Sequence, residues 1–349
     1  MKKIRFGITG SGYMGRTHAE AIRRLEGAEL VAIWGGTRAP ALAARCGAVC
    51  EPTLASLLAR SDLDAIVVTT PHHLHADEAV RALETGRHVL VEKPMATSVA
   101  DCDRMIAAAV KARRVLATGY QQRFRSNNLR ARELIAAGAI GKILTAQVSM
   151  PCFLGDYKDS GFGGGNWAWW DDPASVGRSL NSSPHALDLI RGFTGARAAT
   201  VSAFSRTFMP GQTNEDTTLA LVEYTNGTLG SFFFSDALAA PAFPGEGFRF
   251  RLMGSAGLMD LDPYGELRVS DAKGWRVEAT QPAIGHDDAD AAYGEVRLGA
   301  YCAQLRSFLE AIEGQSAALG SAADGRADVA TCLAMYTSSR ERRWVSLSS

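Results

Sequence analysis

Two stretches of the chain are spaced for chemistry. Gly10-Ser11-Gly12-Tyr13-Met14-Gly15 sets three glycines in the pattern GxGxxG, and Glu92-Lys93-Pro94 puts a charged pair ahead of a residue that cannot donate to a sheet. In the first, Gly10 permits a tight turn, Gly12 lets an anion approach the backbone, and Gly15 lets a following helix lie close to the preceding strand. The first amides of that helix then hold the anion, so the loop reads as a pyrophosphate site and hence a dinucleotide site. In the second, the amine of Lys93 can hydrogen-bond a reacting oxygen. With an ordinary pKa of about 10.4 it is neutral in only about one molecule in a few thousand at pH 7. Burial would lower that value. His72, His73 and His75 form a third group. No cysteine or carboxylate completes a metal set beside them, so no metal is expected, and His75 is read as fixing a loop beside the cofactor.

The elements that must position these residues alternate strand and helix. An apolar run over 4–9 precedes the glycine loop, and a helical pattern follows it. A second strand over 30–34 ends at Gly35, where a chain selecting NAD would place an acid about 20 residues beyond the loop. Gly36, Thr37 and Arg38 follow, offering a hydroxyl and a guanidinium that can clasp a 2'-phosphate. NADP is therefore preferred to NAD. A helix over 39–46, a β-branched strand over 64–70 closed by Pro71, and a helix over 76–85 come next. The strand 88–91 then runs directly into Glu92-Lys93-Pro94, at the carboxyl edge where open α/β sheets bind ligands. A helix over 98–113 and a strand over 115–120 complete a doubly wound parallel sheet. The expected division is a dinucleotide-binding domain over 1–120 and a second domain over 121–349.

Composition limits the partners. The chain has 349 residues, enough for two domains, and its 37 lysines and arginines balance 37 aspartates and glutamates. That balance favours neither nucleic acid nor an anionic membrane, and leaves a small molecule as the ligand. No apolar run approaches the roughly 20 residues of a membrane span. Lys2 and Lys3 precede an apolar run, but it passes straight into the glycine loop, which a cleaved leader would remove. The six cysteines lack paired spacing, so reduced thiols and a cytoplasmic location are expected.

Taken together, the Gly10 to Gly15 loop, Thr70-Pro71 with His75, Glu92-Lys93-Pro94, Gly119-Tyr120 with Arg123-Phe124, and Gly138-Ala139-Ile140-Gly141-Lys142-Ile143 resemble the Gfo/Idh/MocA family, which includes glucose-fructose oxidoreductase and inositol dehydrogenase. The resemblance runs over essentially the whole chain. It implies a Rossmann domain followed by an α/β domain built on a large open, mostly antiparallel sheet through which subunits pair as homodimers or homotetramers. It also places Lys93 at the nicotinamide, with Thr70, Pro71, His72, His75, Glu92, Pro94, Gln121 and Arg123 among the cofactor contacts.

The family's third motif, Trp-x-x-Asp-Pro and then DxGxHxxD, is matched by Trp169, Asp172, Pro173, His185 and Asp188, while Asn181 and Ser183 replace its first Asp and its Gly. By this resemblance His185 carries the proton, being the better donor and acceptor near neutral pH. Asn181 positions a substrate hydroxyl, and Asp188, one helical turn from His185, orients the ring or serves elsewhere. Asp172 joins Lys93, Asn181 and His185 as a substrate contact. Tyr157 and Trp167, in a glycine-rich stretch, are candidates for a lid that stacks on a sugar ring. The expected reaction is hydride transfer between a nicotinamide and a secondary alcohol or ketone of a sugar, cyclitol or glycoside. A redox-assisted glycosidase and a nucleotide-binding regulatory protein are the alternatives on the same fold.

Overall fold

Short apolar runs build the first sheet, and its inner strands are buried on both faces, as parallel strands covered by helices require. In the computed structural model, which describes residues 3–151, 172–237, 247–282, 293–318 and 320–347, these are β1 (Ile4–Thr9), β2 (Ala28–Trp34), β3 (Val49–Cys50), β4 (Ala65–Val68), β5 (His88–Glu92) and β6 (Leu116–Gly119). They pair in parallel in the order β3-β2-β1-β4-β5-β6. The helices between them are α1 (Tyr13–Arg23), α2 (Ala39–Cys46), α3 (Leu54–Ala59), α4 (His75–Glu84) and α5 (Val99–Ala112). Register aligns the strand ends: Thr9 lies opposite Trp34 and Val68, Val68 opposite Val91, and Glu92 opposite Gly119. Gly10, Gly35, Thr69, Lys93 and Tyr120 therefore leave the sheet along one carboxyl edge. The sequence reading did not resolve β3 or α3, whose segments are too short to show a period.

The second unit holds the remaining strands: β7 (Ile143–Pro151), β8 (Ala198–Arg206), β9 (Thr217–Tyr224), β10 (Leu229–Ser235), β11 (Arg249–Gly254), β12 (Leu258–Leu261), β13 (Glu266–Asp271), β14 (Gly274–Thr280) and β15 (Val345–Ser346). Their order is β14-β13-β12-β11-β7-β10-β9-β8-β15, antiparallel throughout except for β7 beside β10. Helices α6 (Ser126–Ala136) and α7 (Arg178–Thr194) lie on one face. That face buries Val201, Ala220, Val222, Phe232, Phe234 and Phe250, whereas Phe204, Leu219, Leu221 and Leu229, alternating with them, are exposed. One face of this sheet is thus a core and the other presents apolar side chains to solvent.

The chain then returns to the first unit. Helix α8 (Glu295–Ile312) packs along α1, and its Leu298, Tyr301, Leu305 and Phe308 share one core with Phe6, Ile8, Ile22 and Ile33. Residues up to 326 cluster with the first unit and those from 327 with the second, the change falling inside α9 (Ala322–Glu341). This differs from the sequence reading, which placed all of 121–349 in the second domain, because an apolar helical stripe does not say which core it covers. Among the described residues no helix is long and apolar enough to cross a membrane.

Candidate active site

The glycine loop takes its shape from contacts that only glycine tolerates. Gly10 has φ +90, and a Cβ there would lie 2.8 Å from the Thr69 carbonyl oxygen. A Cβ on Gly15 would lie 2.2 Å from the Gly10 carbonyl oxygen, so α1 begins directly against the turn. Around the Cβ position of Gly12, by contrast, there is nothing within 4 Å. Gly12 is also the N-cap of α1 and brings no side chain to its first amides. A cradle open at Gly12, facing the start of a helix, fits a pyrophosphate. The turn after β2 lies against this loop: Gly35 and Gly36 have φ +95 and +79, and a Cβ on Gly36 would be 2.8 Å from Ser11 Oγ. That packing brings the exposed Thr37 and Arg38 beside the loop.

The side chains behind the loop were not anticipated. Tyr13 presents backbone to the loop while its ring lies 5.9 Å from that of Tyr293. The Arg297 guanidinium sits 4.4 Å from the Tyr13 ring centroid and donates to Thr17 Oγ1 at 3.2 Å. Arg16 stacks 3.8 Å over Tyr293. These contacts brace α1 against the segment that carries α8. Their partners are some 280 residues apart in the chain, and no local signal announces them. Met14 packs against the shared core.

Lys93 is held by its neighbours on both sides. His75 is fully buried, with Nδ1 2.9 Å from the Pro94 carbonyl oxygen and Nε2 2.8 Å from that of Thr70. It therefore ties the Thr70-Pro71 loop to the Lys93-Pro94 turn. Burial holds its pKa below the usual histidine value. On the other side, Glu92 Oε1 receives His18 Nε2–H at 2.8 Å and Oε2 receives the Lys93 backbone N–H at 3.2 Å. The Glu92 carboxylate, expected at the cofactor, is engaged by α1 and by the backbone of the lysine it precedes. His18, which is fully buried, was missed by the sequence reading. Lys93 itself is half-buried, His72 is buried beside His75, and Gln121 is buried with no partner for Oε1 among the described residues. An orphaned amide oxygen at this edge suits a ligand that donates to it. Among the described residues no histidine, cysteine and carboxylate cluster could hold a metal.

In the second unit the candidate residues lie on α7. This helix begins at Arg178, so Asn181 is its fourth residue and His185 follows one turn later. Both are buried, at 8% and 7% exposure, and Asn181 Nδ2 donates to Ser182 Oγ at 3.2 Å. Ser183, where the family motif has glycine, hydrogen-bonds the Ser179 carbonyl oxygen and lies 3.0 Å from Cys332 Sγ, so the larger residue is accommodated. Asp188 holds two arginines. Its oxygens accept Arg123 Nε at 2.7 Å and Nη2 at 2.5 Å, and Oδ1 also accepts Arg191 Nη2 at 2.5 Å. Arg123, expected at the cofactor, is thus held bidentately by a buried carboxylate. Asp172, expected at the substrate, caps the turn Pro173–Ser175 by accepting Ala174 N–H at 2.9 Å. Tyr157 and Trp167 lie outside the described residues.

A doubly wound sheet whose first turn is an anion cradle, with a fixed lysine at its carboxyl edge, defines a dinucleotide-binding oxidoreductase fold. The chain belongs to the Gfo/Idh/MocA family: the model described as "Oxidoreductase family, NAD-binding Rossmann fold" matches residues 4–120, and the "GFO/IDH/MocA C-terminal domain" matches residues 128–260. It is 27% identical to 1,5-anhydro-D-fructose reductase of Ensifer adhaerens over 95% of both chains. It is 35% identical to inositol 2-dehydrogenase 3 of Saccharopolyspora erythraea, a match that covers 41% of this chain and only 44% of that relative. The chain spans a similar minor share, 38%, of an uncharacterized oxidoreductase of Streptococcus pneumoniae. Among solved structures, the aldose-aldose oxidoreductase of Caulobacter crescentus, complexed with glycerol, superposes with a TM-score of 0.81 at 25% identity, over 99% of this chain and all of that one.

Proposed function

We propose that this protein is an NAD(P)-dependent oxidoreductase that transfers a hydride between nicotinamide and a secondary alcohol or ketone of a sugar, cyclitol or glycoside. The observation that carries the reading is the carboxyl edge of the first sheet, where the cradle of Gly10, Gly12 and Gly15 and the lysine fixed by Glu92 and His75 belong to one aligned set of strand ends. The names of the Ensifer and Saccharopolyspora relatives support the substrate class. The bound dinucleotide supplies the hydride acceptor or donor. Lys93 hydrogen-bonds the reacting oxygen, His185 takes or returns its proton, and Asn181 positions a neighbouring hydroxyl. Thr37 and Arg38 hold the 2'-phosphate of NADP, since Gly35 stands where an acid would accept the ribose hydroxyl of NAD. The enzyme works in the cytoplasm, and pairs with further copies through the open face of its second sheet.

Sugars, inositols and aryl glycosides screened with NAD and NADP, following nicotinamide absorbance beside glycoside release, test the reading. Oxidation of a sugar or cyclitol is expected, faster at low cofactor with NADP. Lys93→Met is expected to keep cofactor affinity and lower turnover by about 10²-fold or more. Near-normal turnover in that folded variant, or glycoside release without net reduction of cofactor, would overturn it.

A further inference from the structure

The first turn of α7 is fixed from outside the helix. Val176, just ahead of it, has φ +69, a left-handed conformation that a β-branched residue adopts only under constraint, and Gly177 follows at φ +137. The constraint is Glu215. A Cβ on Gly177 would lie 1.6 Å from Glu215 Oε2, so the carboxyl fills the space beside a residue that has to be glycine. Glu215 Oε1 accepts Ser179 N–H at 2.5 Å and Tyr336 O–H at 2.9 Å. The Glu215 carbonyl accepts Arg178 N–H at 3.2 Å, and the Tyr336 hydroxyl oxygen accepts Leu180 N–H at 3.1 Å. A helix leaves its first amides without internal partners. Here the amides of Arg178, Ser179 and Leu180 are matched by two residues remote in sequence, Glu215 taking the first two and Tyr336 the third, and Asn181 N–H is the first to bond within the turn, to Gly177.

We propose that Glu215, acting through Ser179 and Tyr336, is the positioning residue that sets the helix carrying Asn181 and His185. The proposal rests on the reading that those two side chains serve the reaction. Glu215 acts through the helix and touches no reacting atom. Its proton is part of the device, because burial disfavours the charged form and pushes the carboxyl up to about 7. The groups facing it are the amides of Arg178 and Ser179 and the Ser179 side chain on α7, and Tyr336 and Cys332 on α9, both raised by burial. The Arg178 guanidinium lies 3.1 Å from Asp236, itself pushed up to about 6, and Asp216 accepts the N–H groups of Phe208 and Met209. In the folded protein Glu215 keeps its proton to higher pH than it would in water. Opening the first turn hydrates it, so opening becomes easier as the pH rises from about 4.5 through about 7. The helix is therefore most firmly set on the acidic side of neutrality.

Hydrogen exchange at the Ser179 and Leu180 amides between pH 5.5 and 8.5, expressed as protection factors, tests this beside kcat and KM for the best substrate. In the wild type, protection is expected to fall about tenfold as the pH rises through about 7. Glu215→Gln keeps the acceptor and loses the charge, so its protection is expected to stay level and its kcat to be rescued relative to Glu215→Ala. Glu215→Ala is expected to lose about tenfold in protection and in kcat with cofactor affinity unchanged. Should that variant fail to fold, Tyr336→Phe leaves the Glu215 to Ser179 bond in place and is expected to lose protection at Leu180. Level protection in the wild type, unchanged protection in the truncated variants, or normal kcat in Glu215→Ala overturns the proposal. Protection that behaves as expected, with no turnover of any sugar or cyclitol, supports the cap and overturns the reading of the reaction.

Discussion

Asn181 is the residue at which this chain departs from its family motif in a charge-bearing position. At i and i+4 on α7, Asn181 and His185 share one helical face. An aspartate at 181 would favour the charged form of the imidazole and raise its pKa, whereas asparagine can only donate and accept hydrogen bonds. The acidic limb of kcat/KM against pH, below which His185 is protonated in the oxidative direction, is therefore expected to lie lower in the wild type than in Asn181→Asp. His185→Asn is expected to remove that limb together with most of the activity. A limb that stays in place in Asn181→Asp, or an active His185→Asn with the wild-type profile, would show that the proton takes another route. At this scale the sequence was informative where a constraint is local. The glycines at 10 and 15 follow from spacing within one strand-loop-helix unit. The pairs His18 with Glu92 and Arg123 with Asp188 lie 74 and 65 residues apart, and the sequence does not reveal that Glu92 and Arg123 are engaged by protein.

Secondary elements were legible to the degree that their periods were pure. The helix over 39–46 appears with the bounds read from the sequence, whereas the strand read over 30–34 begins earlier, at Ala28. Only position in the fold explains why β9 alternates Thr218, Ala220 and Val222 inward with Leu219 and Leu221 outward. An apolar outer face next to Phe204 and Leu229 is unusual for a surface in water and suits burial against a like surface. Leu221 is 53% exposed, so Leu221→Glu leaves the core untouched. The wild type is expected to sediment as a dimer or tetramer and this variant as a smaller species with an unchanged melting profile. A monomeric wild type over the whole accessible concentration range would remove the assembly from the proposed function.

The division of the whole molecule is the feature that sequence order hides most fully. A cut near residue 120 follows the last strand of the first sheet, yet that sheet's core is completed by Leu298, Tyr301, Leu305 and Phe308 of α8. Burying one large apolar side chain contributes about 1.5–3 kcal/mol, so these four supply roughly 6–12 kcal/mol, comparable to the entire stability of a domain. The open edge of β6 is also closed by the returning chain, where Thr118 N–H donates to the Gly320 carbonyl at 2.7 Å and Ala117 bridges Ser321. Arg297 further braces the helix that opens at the glycine cradle. A fragment ending at residue 121 is therefore expected to unfold without a cooperative transition and to bind no NADP, although it contains every cofactor contact read from the sequence up to Gln121. Joining residues 293–326 to it through a flexible linker is expected to restore both the transition and the binding. Thermal unfolding followed by circular dichroism, with NADP titrated calorimetrically into each fragment, decides the matter. Equal melting temperatures with and without the returning segment would mean that the first sheet folds on its own core, and that α8 only covers it.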